Sequence, residues 1–173
     1  MKKTDTKNLV LSALFTALTA VLSQIILPLG PIPFNLAVLA VFLTGMLLPP
    51  VWACVSVAVY LLLGAVGVPV FAGFAGGPAI LFGKTGGYIV GYIVIAGLTS
   101  FGAHRKKPWV TFAYMGFGLI LCYALGTAWF MVITQATLAQ SLVWCVIPFI
   151  IPDLCKGAAS YFLGKALRKR LPH

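Results

Sequence analysis

Two short stretches hold charges that an otherwise apolar chain would not carry without reason. The first, residues 76–87, reads Gly-Gly-Pro-Ala-Ile-Leu-Phe-Gly-Lys-Thr-Gly-Gly. Its Gly83-Lys84-Thr85 ending is that of a phosphate-binding loop, where a lysine and backbone N–H groups cradle a nucleotide. The full motif requires glycine five residues before Gly83. That position is Pro78, and Gly77 is one place off. The chain has only two acids, Asp5 and Asp153, and neither is placed to manage magnesium. Lys84 is therefore read as a cation for an anion other than ATP.

The second stretch, residues 151–156, reads Ile-Pro-Asp-Leu-Cys-Lys. Asp153 and Lys156 are three apart and share a helix face. A charge at the centre of a membrane segment costs about 2.5–3.5 kcal/mol on insertion scales. Two explanations stand. The pair satisfies itself and packs the bundle, or it forms a polar pocket that faces a ligand. Pro148 and Pro152 would free carbonyls or bend the helix toward such a cavity.

Just before the first of these stretches lies a glycine-rich segment containing Phe71, Gly73 and Phe74. Its aromatic residues either rest on lipid or on the bundle as a plug, or fold inward as a lid over a ligand. A long ordered loop is usually functional, which favours the lid. Near the start, Ala13 and Ala17 are four apart, with Ala20 beyond them. Such a strip of small residues admits a second helix closely, within the bundle or from a partner.

The elements that position these residues follow from composition. The 173-residue chain is 61% hydrophobic and only 8% charged, whereas a soluble domain carries about 25% charge. So little charge cannot cover a water-facing surface, and a lipid bilayer is the solvent implied. The net charge of +10 falls in clusters that flank apolar segments: Lys2, Lys3 and Lys7; Arg105, Lys106 and Lys107; Lys165, Arg168, Lys169 and Arg170. No basic stripe is interleaved with aromatic residues, so no nucleic-acid partner is expected. Cys54, Cys122, Cys145 and Cys155 form no C-x-x-C pair and read as small buried hydrophobes. His104 and His173 have no nearby carboxylate, and no metal site is expected.

Six apolar segments are predicted: 9–27, 35–48, 51–66, 88–101, 109–134 and 142–163. The first is too long for a signal core and lacks an A-x-A site, so it is read as a retained helix. Pro28, Pro31 and Pro33 break it, and the second segment ends at Pro49-Pro50. Continuous apolar runs, rather than alternation in ten-residue strands, predict helices and not a barrel. With six crossings, the three basic clusters share one side, and Lys84 is the one basic residue in a loop on the other. That pattern places both termini in the cytoplasm. Trp52 and Trp109 fall where interfacial aromatics belong. The expectation is a single all-α transmembrane domain over residues 1–173. No internal repeat is evident, which argues against a self-contained inverted-repeat transporter.

Taken together, these features resemble the BioY family, the biotin-binding S components of energy-coupling factor (ECF) transporters. The resemblance rests on residues 67–77, on Gly83-Lys-Thr-Gly-Gly-Tyr88, on residues 151–156, on the Pro31-Ile-Pro-Phe-Asn35 turn and on Ala13/Ala17. It covers essentially the whole chain in order. It implies a six-helix S-component fold in a prokaryotic plasma membrane, with a biotin pocket open to the outside and no cofactor. It implies that Asp153 and Lys156 hold the ureido head, that Lys84 lies near the valerate carboxylate, and that Asn35 belongs to the site. It further implies that Ala13 and Ala17 meet a transmembrane coupling subunit, which joins two cytoplasmic ATPases. This chain has Gly73 where family members often carry a polar residue, so one ureido contact is either missing or made by backbone. The chemistry of biotin agrees: Phe71, Phe74 and Tyr88 would form an apolar slot between the cation and the polar pair. An S component for another vitamin, or an integral membrane enzyme, are the alternatives. The enzyme would need a nucleophile–base or metal constellation, and the sequence offers none.

Overall fold

The computed structural model describes residues 3–27, 34–105 and 107–170. Lys2, Pro28, Pro31, Pro33, Lys106 and His173 lie outside these residues.

Helix α1 (Lys3–Ser23) has Asp5 in its first turn, where a carboxylate complements the helix dipole. Two short strands follow, β1 (Ile26–Leu27) and β2 (Phe34–Asn35), paired antiparallel with Ile26 opposite Asn35 and Leu27 opposite Phe34. This hairpin arm was not expected from the sequence, because two-residue strands leave no periodicity to read. It delivers Phe34 and Asn35 into the bundle. Helix α2 (Ala37–Leu47) is buried almost throughout. The pair Pro49-Pro50 ends the run and starts α3 (Pro50–Ala65), with proline in its first turn.

The next segment contains α4 (Pro78–Leu81), a single turn. Helix α5 (Gly86–Ala103) then packs along α6 (Pro108–Thr134). Their close approach depends on glycine. A Cβ on Gly126 would overlap the Tyr88 ring, and one on Gly91 would meet Cys122 Sγ at 2.6 Å. Gln135 ends α6 in the left-handed conformation, and a Thr137–Gln140 capping box opens α7 (Leu138–Cys145). Helix α8 (Ile147–Arg168) follows after a 41° bend at Val146. The bend has a chemical cause: Pro148 has no N–H to continue the helix, and Pro152 leaves the carbonyl four residues back without its usual donor.

The predicted segment 142–163 is thus two helices joined at a bend. The other five predicted segments each contain one helix, but segment 9–27 leaves the helix at Ser23 and ends in β1, and segment 35–48 starts in β2. By length and apolarity, three described helices qualify as membrane spans, or four if the bent α7–α8 pair counts as one. Helices α2 and α3 are apolar but shorter.

Helix α1 has a hydroxyl face turned toward α3. Thr16 Oγ1 donates to Ser56 O (2.8 Å), Ser56 Oγ to Ser12 O (2.9 Å), and Ser12 Oγ to Trp52 O (3.2 Å). Ala13 and Ala17 lie on the exposed side of the same helix. The small-residue strip therefore faces outward and does not pack within this bundle.

Candidate ligand-binding site

The segment joining α3 to α5 folds onto the bundle. Phe71 N donates to Ala75 O (2.9 Å) and Ala75 N returns the bond to Phe71 O (3.3 Å), closing a tight turn. Gly73 and Phe74 carry that turn at positive φ, 74° and 55°. Helix α1 holds the turn from one side. Gln24 Nε2 donates to Val70 O and Phe71 O (both 3.1 Å), and Gln24 Oε1 accepts from Phe74 N (2.8 Å). Phe71, 1% exposed, inserts against Gly64 and meets the Tyr60 ring edge-on at 5.5 Å. Phe74 points the other way and is 73% exposed. The sequence expectation that both phenylalanines wall the slot therefore needs correction: the turn sends one side chain in and the other out.

Beneath Phe71 lies a cavity of about 230 Å³ lined by Asn35, Tyr60, Phe71, Ala72, Lys84, Tyr88 and Tyr92, among others. Lys84 sits between α4 and the start of α5, at an exposed position. It follows a one-turn helix and not a strand, unlike the lysine of a phosphate-binding loop. A second, smaller space of about 40 Å³ adjoins the first. The two share Asn35, Tyr88 and Tyr92 as walls. Asp153 and Lys156 line the inner space together with Tyr123, Cys122, Cys145 and Phe149. Gly73 lines neither cavity; a Cβ there would face Ile26 Cδ1 at 3.7 Å.

The polar end is built by three elements. Asp153 and Lys156 are 3% and 6% exposed on α8, and Lys156 Nζ donates to Asp153 Oδ1 at 2.7 Å. Tyr123 of α6 donates its hydroxyl to Asp153 Oδ2 at 2.7 Å. Lys156 Nζ also lies 3.8 Å from the centre of the Phe34 ring of β2, a cation–π contact. A carboxylate offers about four lone-pair sites and an ammonium three N–H donors. Two of Asp153's sites and one of Lys156's donors are used in these contacts, so the pair retains hydrogen-bonding capacity toward the inner cavity. Asn35 Oδ1 accepts from Ala37 N at 3.0 Å, which opens α2 and leaves the amide NH2 for the cavities. Tyr88 hydrogen bonds Thr127 at 3.0 Å, which fixes its ring between the two spaces.

The site is a short apolar and aromatic passage with a cation at its outer end and an acid–base pair at its inner end. Its volume lies below the roughly 300–1,000 Å³ of drug-sized pockets and suits a small ligand. Sequence reasoning missed Tyr92 and Tyr123. Tyr92 follows Tyr88 by one helical turn, a signal that was available; Tyr123 had none in the sequence. No group of three or more His, Cys, Asp or Glu that could hold a metal occurs among the described residues.

Comparison with known proteins decides the family. The BioY family model matches residues 1–173. The chain belongs to the BioY family. It is 36% identical over 162 residues to the probable biotin transporter BioY of Pyrococcus horikoshii, covering 94% of this chain and 96% of the relative. To the biotin transporter BioY2 of Lactococcus lactis it is 35% identical, covering 100% and 96%. To the biotin transporter BioY of Thermotoga maritima it is 36% identical, covering 94% and 96%. Its fold is similar to the crystal structure of the S-component for biotin from an ECF-type ABC transporter. The TM-score is 0.87 at 27% identity, with 98% of this chain and 94% of that one covered.

Proposed function

We propose that this chain is the membrane-embedded biotin-capture subunit of an ECF-type transporter, without catalysis or a cofactor of its own. The observation that carries the reading is the pair of adjoining cavities, with Lys84 on one and Asp153 and Lys156 on the other. Biotin has matching ends. Its ureido N–H groups find an acceptor in Asp153, its ureido oxygen a donor in Lys156, and its valerate carboxylate a cation in Lys84. Phe71, Tyr88 and Tyr92 hold the bicyclic body. Asn35, which lines both spaces, supplies the contact for which Gly73 has no side chain. A ligand lacking the urea would leave these buried groups unpaired, at about 1–3 kcal/mol each.

The chain acts as one transmembrane domain that crosses a prokaryotic plasma membrane six times, with α7 and α8 as one bent crossing. Ten of the twelve basic residues then share the cytoplasmic side, three at the start, three at 105–107 and four at 165–170. Arg168 donates to Ala103 O, which supports placing the last two clusters side by side. The exposed Ala13/Ala17 strip is the surface for the transmembrane coupling subunit, and two cytoplasmic ATPases supply the energy.

Radiolabelled biotin binding by the purified chain tests the reading; saturable binding at or below micromolar biotin is expected, and its absence removes it. Ala13→Trp should leave that binding intact and prevent co-purification with the coupling subunit. Undiminished co-purification would place the interface elsewhere.

A further inference from the structure

The other end of the bundle carries charges that biotin capture does not use. Helices α2 and α5 run from the ligand cavities to this end, where α6 begins and α8 finishes. They surround a cavity of about 370 Å³ lined by Lys107, Lys165, Arg168 and Lys169. Arg168 anchors it: Nη1 donates to Ala103 O at 3.1 Å and Nη2 to Met46 O at 2.6 Å, the last residues of α5 and near-last of α2. The three lysines are exposed, and their ammonium groups have no ion pair or hydrogen bond among the described residues. Among the described residues no carboxylate lines the cavity, and Asp153 is already engaged with Lys156. Four like charges around one space repel each other, and an anion between them reverses the sign of that interaction.

The apolar surroundings narrow the choice of anion. Tyr161 forms one wall, and its ring lies 4.7 Å from that of Phe112 and 5.6 Å from that of Phe162. Phe112, Phe162 and the nearby Trp109 are exposed. The cationic mouth therefore continues onto an exposed aromatic strip. A free phosphate would use only the cations, whereas an amphiphile with an anionic head uses both surfaces.

We propose that this cavity binds the phosphate headgroup of an anionic phospholipid, with the acyl chains along Phe112, Tyr161 and Phe162. Lysine ammonium groups form charge-assisted hydrogen bonds to phosphate oxygens. Basic pockets between helices at the cytoplasmic membrane surface suit such head groups. The lipid bridges the ends of α5, α6 and α8 without entering the biotin passage.

The test uses the full chain in mild detergent, supplied with equal phosphatidylglycerol and phosphatidylethanolamine, with retained lipid read by native mass spectrometry. Phosphatidylglycerol should be retained over phosphatidylethanolamine by about tenfold or more, and the preference should fall as salt rises. The triple change Lys107→Gln, Lys165→Gln and Lys169→Gln should remove the preference with an unchanged helical circular dichroism signal, while the corresponding arginine triple keeps it. Equal retention of both lipids by the unmodified chain overturns the proposal, as does a preference flat in salt or one that survives the folded glutamine triple. Displacement of phosphatidylglycerol by equimolar inorganic phosphate also overturns it, and would assign the cavity to soluble phosphate. Lipid retention is read directly, so the result stands apart from whether the chain binds biotin.

Discussion

Two of the polar clusters buried in the bundle differ in what is left over. Along α1 and α3, the hydroxyls of Ser12, Thr16 and Ser56 donate to carbonyls at 2.8–3.2 Å, and neither of the two adjoining cavities is lined by them. Around α8, Asp153, Lys156 and Tyr123 also bond one another, yet lone pairs and N–H donors remain and a cavity adjoins them. The first cluster is closed and joins helices. The second is open on one side, and only an open cluster can receive a guest. In an apolar solvent, unspent hydrogen-bonding capacity marks a site better than polarity alone.

Substitutions should separate the clusters by what they disturb. The largest effect on ligand affinity is expected for Lys156→Ala. It removes the proposed ureido donor and leaves Asp153 buried without its charged partner. Biotin binding should fall beyond detection while the chain stays folded; unchanged affinity would move the pair into the closed, structural class. Tyr123→Phe removes one of Asp153's two protein partners, so a loss of roughly tenfold is expected by isothermal titration. No loss would mean that the hydroxyl is as dispensable to the ligand as those of α1.

Lys84→Gln acts at an exposed position and should cost less than Lys156→Ala. It sharpens the comparison through the ligand: biotin should lose several-fold and biotin methyl ester almost nothing. Equal losses for the two ligands would remove Lys84 from the carboxylate. Ser56→Ala breaks the closed seam. It should lower thermal stability by about 0.6 kcal/mol, the average for hydrogen bonds between membrane helices, with no change in affinity. A ligand-specific defect from Ser56→Ala would show that the seam is not separate from the site.

The sequence by itself determined the solvent, the helical class and the chemical repertoire. A chain with 8% charge must bury itself in lipid, and Lys84, Asp153 and Lys156 are nearly all the charge left outside the terminal and 105–107 clusters. Spacing alone placed Asp153 and Lys156 on one face. Tertiary structure decided which way each helix turns. Ala13 faces out and Ser12 faces in, Phe71 is buried while Phe74 is exposed, and Tyr123 reaches Asp153 across 30 residues of sequence. The bend at Val146 and the hairpin that carries Phe34 to Lys156 belong to the same category. The physical reason is that lipid and protein interior are almost equally apolar, so apolar residues give no preference for one face over the other. The rotation of a membrane helix is set by small residues, hydroxyls and the few charges, and these take their meaning from partners distant in the chain.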